Sequence, residues 1–161
     1  MPNSDTLSAS AQKVQDALLS KGVACRVVEL PASARSAKEA AQAIGCRVEQ
    51  IVKSLVFRGK HSNKAILALV SGSNRVNERK LSTFAAEPIR KADADFVREK
   101  TGFAIGGVPP VGHAEPLETF LDEDLLRYEK IWAAAGTPHA VFELTPSELK
   151  SIVDCRVIAV K

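Results

Sequence analysis

A chain of 161 residues, 45% hydrophobic and 25% charged, is sized for one domain with its own core. Six Phe, one Tyr and one Trp are too few for an extended base-stacking platform. A net charge of +3, with basic groups mixed among 19 acids, permits contact with a polyanion without demanding it. The polar first ten residues lack a secretory apolar region, and no apolar run approaches the length of a membrane span. Cys25, Cys46 and Cys155 lie far apart in apolar contexts, without CxxC spacing, and read as buried reduced thiols. These features set the expectation of a cytoplasmic protein without a membrane partner.

In chain order, residues 1–9 read as a frayed polar tail and 10–161 as the domain. From Ser10 the spacing of Ala11, Val14, Ala17 and Leu18 is helical, with Lys21-Gly22 as a stop. Residues 25–30 read as a strand ended by Pro31. Ser36-Ala37-Lys38-Glu39 is a capping box opening an alanine-rich helix that Gly45 closes. Residues 48–52 add a short helical turn. Lys53-Ser54-Leu55-Val56-Phe57-Arg58 alternates like a half-buried strand, residues 59–63 form a hairpin-like turn, and 65–70 return as a strand apolar on both faces. A helix from Asn77 or Glu78 to Ala85 follows. Another runs over 93–100, with Asp93 as N-cap and Gly102 past its end.

Residues 103–105 read as a short strand entering a glycine loop. Residues 117–121 read as a further strand, broken by Asp122-Glu123-Asp124, and 131–134 pair with 140–144 across the turn Gly136-Thr137-Pro138. Thr145-Pro146-Ser147-Glu148 is a second capping box with Pro at the first helical position, and 156–160 is a final strand. Strands and helices alternate without a strict βαβ rhythm, which points to a mixed α/β domain rather than a doubly wound parallel sheet.

The segment richest in chemical possibility is Gly102-Phe103-Ala104-Ile105-Gly106-Gly107-Val108-Pro109-Pro110-Val111-Gly112-His113. Its glycines let bare backbone approach a ligand, while Pro109 and Pro110 stiffen the loop without adding donors. It presents N–H groups at a fixed place, or it is an ordinary connector. Its spacing is not that of a dinucleotide-binding turn, and no P-loop, GxSxG or HExxH is present, so no nucleotide cofactor is expected. The three histidines and scattered carboxylates show no metal-ligand spacing. Lys53 begins an apolar strand, where an inward charge needs a reason; the alternative is a lysine snorkelling to solvent. His113 follows the rigid loop and either positions a polar substrate group, acts as acid or base, or is a hydrogen-bonded loop residue. His61 and His139 read as surface residues. Arg75, Arg79, Lys80, Arg90 and Lys91 make a loosely basic middle, either a solvated face or a phosphate contact.

Val52-Lys53-Ser54-Leu55-Val56-Phe57, the glycine loop from Gly102 to His113, and a strand leading into Ala135-Gly136 occur in this order. With that ordered set the chain, from about Ser10 to Lys161, resembles the YbaK/EbsC family, free-standing relatives of the editing domain inserted in bacterial prolyl-tRNA synthetases. The resemblance implies a mixed α/β (α+β) fold, a single domain with a curved, barrel-like mixed sheet flanked by helices. It also implies trans-editing: hydrolysis of the ester joining a wrong amino acid to the 3′ end of a tRNA, typically tRNA for proline, without metal or cofactor. Lys53 matches the family's essential lysine. Gly106-Gly107-Val108-Pro109-Pro110 matches the element whose backbone lines the aminoacyl pocket, and Gly136 the loop on the opposite wall.

The resemblance therefore assigns catalysis to Lys53, which orients the ester or ribose, and to Gly107, whose region stabilises the oxyanion while water attacks. Ser54, Gly106, Val108, Pro109, His113, Ala135 and Gly136 are the expected substrate-binding set. Ala133-Ala134-Ala135 stand where some members of that family carry Ser or Thr, and Ser54 where some have Thr or Asn, positions that set pocket size and polarity. They leave the amino acid open among alanine, cysteine, serine, threonine or a nonproteinogenic analogue. Expected partners are the aminoacylated 3′ end of a mischarged tRNA and an aminoacyl-tRNA synthetase. The alternative is a non-catalytic module of the same fold that binds an aminoacyl group or tRNA end beside a synthetase.

Overall fold

A computed structural model describes residues 7–161. Most of the expected polar tail lies outside the described residues. The first helix, α1 (Ala9–Ser20), starts at the end of that tail because Ser8 caps it, its Oγ accepting from Ala11 N at 3.2 Å. Then follow β1 (Val27–Glu29), α2 (Ala37–Ile44), a 3₁₀ turn (Val48–Gln50), β2 (Ile51–Gly59), β3 (Ala65–Ser71), α3 (Glu78–Ala85), β4 (Ile89–Lys91) and α4 (Ala94–Thr101). After the glycine loop come β5 (Glu118–Asp122), a second 3₁₀ turn (Glu123–Arg127), β6 (Ile131–Ala134), β7 (Ala140–Leu144), α5 (Pro146–Ile152) and β8 (Arg156–Ile158).

The caps form where local sequence places them. Ser36 and Glu39 make a reciprocal capping box, as do Thr145 and Glu148, and Asp93 accepts from Phe96 N at 2.8 Å. Three expectations shift. The turn at 48–52 stops at Gln50, and Ile51 and Val52 join β2, where they pair with β6. Residues 89–91, to which no element is assigned from sequence, form β4 against β2. Residues 103–105 are not a strand: the Phe103 ring drops into the core, 1% exposed, and its N–H donates to Thr101 Oγ1.

Eight strands, among the described residues, form one mixed sheet in the order β1-β7-β6-β2-β3-β5-β8, with β4 on β2. β2 and β3 are antiparallel, whereas β2–β6, β3–β5 and β5–β8 are parallel. β3 is central and buried throughout. The larger core draws on β1, β7, β6, β2, β3 and β5 as well as α1, α4 and α5, so the sheet wraps around it. On the other face α3 covers the middle strands around Phe57, Val70 and Phe120, and α2 covers Ile51 beside Trp132.

Candidate active site

Among the described residues, neighbouring strands reach β2 on the side away from β3 only at its two ends. β6 pairs with Ile51 and Val52, and β4 with Phe57, Arg58 and Gly59. Residues 53–56 therefore border a gap in the sheet. A cavity of about 440 Å³ opens there, within the usual range for small-molecule sites. Ser54, Val56 and Ala133 line it from the strands, Ala92 from just past β4, and Gly106 and Val108 close it from the glycine loop. Ser54 Oγ is buried without a hydrogen-bond partner among the described residues, an uncommon state for a hydroxyl.

The glycine loop is built from a β-turn. Gly107 N–H donates to Ala104 O at 3.0 Å, and Gly106, the third residue of the turn, takes φ +88°, a conformation glycine reaches without strain. Gly107 O in turn accepts from Gly136 N at 2.9 Å, joining the loop to the β6–β7 turn. A side chain at Gly107 would meet Thr137 Cα at 2.7 Å, and one at Gly136 would meet Ser10 O at 2.6 Å. The two loops and the start of α1 are thus stacked backbone on backbone.

Lys53 lines the cavity, and its Nζ donates to the Asn74 carbonyl at 2.6 Å. Asn74 is held from below: its Nδ2 donates to Asp122 Oδ2 and to Asp124 Oδ2, both at 2.8 Å, and buried Asp122 also accepts from Ser71 N and Asp124 N. Burial first, and then the Arg75 charge, pull the Lys53 pKa below that of an ordinary lysine, while Asp122 opposes them. The ammonium still has two further N–H groups to offer.

Residues 31–152 match the family of the aminoacyl-tRNA editing domain. The chain belongs to that family. It is similar to the uncharacterized protein YwhH of Bacillus subtilis, 35% identical over 123 residues, covering 76% of this chain and 78% of that one. It is also similar to EbsC of Enterococcus faecalis, named as a candidate Cys-tRNA(Pro)/Cys-tRNA(Cys) deacylase, 25% identical over 74% of this chain and 73% of the relative. Among solved structures, a candidate trans-editing enzyme for prolyl-tRNA synthetase superposes with a TM-score of 0.93 at 55% identity, covering 97% of this chain and 99% of the other.

Within this editing domain the site residues expected from sequence divide. Lys53, Ser54, Gly106 and Val108 line the cavity; Gly107, Pro109, His113, Ala135 and Gly136 are not among the residues that line it. In the Gly107 region, the Gly107 N–H itself donates to Ala104 O. The adjacent N–H groups of Gly106 and Val108 donate to no protein acceptor among the described residues. His113 Nε2–H donates to Pro109 O at 2.6 Å, and burial holds its pKa below the usual histidine range. Ala135 N–H is bonded to Ala140 O, and the wall is formed by Ala133 and Ala134, one and two residues before it. Sequence reasoning missed Asn74, Asp122, Ala92 and Ile105. Ile105 lines the cavity and is 57% exposed, an apolar side chain at its mouth.

Proposed function

We propose that this protein is a trans-acting aminoacyl-tRNA deacylase, cytoplasmic, that hydrolyses the ester of tRNA for proline carrying a small wrong amino acid. The observation that carries the reading is the coincidence, in an aminoacyl-tRNA editing domain, of a small-walled cavity, Lys53 and uncommitted loop amides at one break in the sheet. The names of the EbsC relative and of the solved structure support the substrate class. Alanines and valines on the wall favour a small side chain.

In this reading water attacks the ester carbonyl carbon, and the negative charge that develops on the carbonyl oxygen is met by the Gly106 and Val108 amides. The carbon–O3′ bond then breaks, the ribose oxygen takes a proton, and free amino acid and tRNA leave. Lys53, anchored by one hydrogen bond to Asn74, directs its remaining N–H groups to the ester or the terminal ribose. The substrate's own ribose hydroxyl helps to activate the water, so no Ser–His or Cys–His pair is required. The synthetase for proline is the proposed second partner, because a net charge of +3 gives little independent hold on tRNA.

The test is release of free amino acid from a panel of mischarged tRNAs, with and without Lys53→Ala. Release by the native protein and a fall of about 100-fold or more in the variant is the expected result. Binding without release would point instead to the non-catalytic module, and full activity in Lys53→Ala would remove the lysine from the mechanism.

A further inference from the structure

The gap in the sheet has a polarity of its own. Successive β2 residues aim their backbone groups at opposite edges. Gly59 N–H donates to Lys64 O across the hairpin, whereas Val56 O accepts from Ala92 N on the other side. Ser54, two residues from Val56, therefore points both its N–H and its C=O into the gap, beyond the reach of β6 and of β4. Neither group has a protein partner among the described residues. The buried, unpartnered Oγ belongs to the same residue. Among the described residues that line the cavity there is no Asp or Glu, so a bound α-ammonium meets no carboxylate there. A strand edge with one free acceptor and one free donor is what it meets.

An aminoacyl ester carries its α-ammonium and its carbonyl on adjacent atoms, the layout of one strand residue. We propose that the aminoacyl group binds as a one-residue antiparallel bridge to Ser54: the α-ammonium donates to Ser54 O, and the ester carbonyl accepts from Ser54 N–H. This is strand addition reduced to a single residue. It sets the two Cα atoms about 5.5 Å apart, as in a hydrogen-bonded pair. Ser54 N–H then joins the glycine-loop amides on the carbonyl oxygen as charge develops. Residues opposite each other in a bridge share a face. The side chain of an L-amino acid therefore falls on the Ser54 face, toward Ala133 and Val108, and that of the D-enantiomer falls on the other. The proposal rests on the deacylase reading and names how its substrate is held.

The probe is 3′-(L-alanyl)amino-3′-deoxyadenosine, whose amide resists hydrolysis, compared with its propionyl counterpart, which lacks the α-ammonium. In ¹H–¹⁵N spectra of the full chain the alanyl probe moves the Ser54 amide proton downfield, and the propionyl compound binds at least about tenfold more weakly. Ser54→Pro removes the edge N–H and leaves the β2–β3 ladder intact. It lowers deacylation by about 100-fold, the effect of losing one oxyanion donor. Should that variant fail to fold, the two probes decide alone. Deacylation by the native protein, together with an unmoved Ser54 amide in the alanyl complex or equal binding of both probes, overturns the bridge and leaves the deacylase standing. Absence of deacylation on every mischarged tRNA, with neither probe bound, overturns both.

Discussion

Gly107 shows how little room a single position has. An added Cβ would sit 2.7 Å from Thr137 Cα and 2.9 Å from Gly136 O, both backbone atoms that cannot swing aside. Gly107→Ala is expected to cost about 1–3 kcal/mol of stability, the usual range for overpacking, measured by denaturant unfolding. Gly106→Ala has space, its nearest contact being Pro138 Cγ at 3.7 Å, and costs only the strain of φ +88°. A second prediction concerns Lys53. If its protonated form is the donor, kcat/KM falls as pH rises through a pKa already lowered by burial and by Arg75. Arg75→Gln removes one depressing charge, so the alkaline limb moves to higher pH; a limb that stays in place would detach Lys53 from the rate. Lys53 was legible as a charged residue opening an apolar strand, but its anchor was not. The group it holds is a backbone carbonyl, which any residue at position 74 would supply, and Asp122 beneath it read only as a strand breaker.

At the scale of elements, the chain's local signals decided most boundaries. The Ser36–Glu39 box sets the start of α2, beside the cavity, and Ser36→Ala is expected to cost about 1 kcal/mol by thermal or denaturant unfolding. The β2–β3 turn is held by a longer reach. Glu87, after α3, accepts from Ser62 Oγ at 2.6 Å and from the N–H groups of His61 and Ser62 at 3.0 Å, which brings its pKa from 4.5 to about 2. A carboxylate whose pKa is depressed on folding adds stability that is present above the unfolded value and lost as pH falls through the folded one. The stability gap between the native protein and Glu87→Gln should therefore close between pH 4.5 and 2, as read from unfolding at stepped pH. β2 illustrates the limit of pattern reading. Its alternation at 53–58 suggested one wet face, yet residues 53–56 are half-exposed because an edge is uncovered.

Across the whole molecule, the site depends on elements that never touch its ligand. α1 buries Ala11, Val14 and Leu18 completely, and Ser10 O lies against Gly136, which in turn holds Gly107. Leu18→Ala is expected to cost about 2–5 kcal/mol. By loosening α1 it should speed hydrogen exchange at the Gly136 amide, which donates to Gly107 O; unchanged exchange there would separate α1 from the loop.

Sequence by itself determined the caps, most of the strands and helices, the family resemblance and the identity of Lys53 and the glycine loop. Those features are carried by residues a few positions apart or by ordered motifs. Only the tertiary structure decided that β6 and β4 leave the middle of β2 bare, that Gly107 spends its N–H on Ala104, and that His113 folds back on Pro109. Pairing across 30 to 81 positions and the direction of backbone N–H groups govern those outcomes, and neither is written in side-chain pattern.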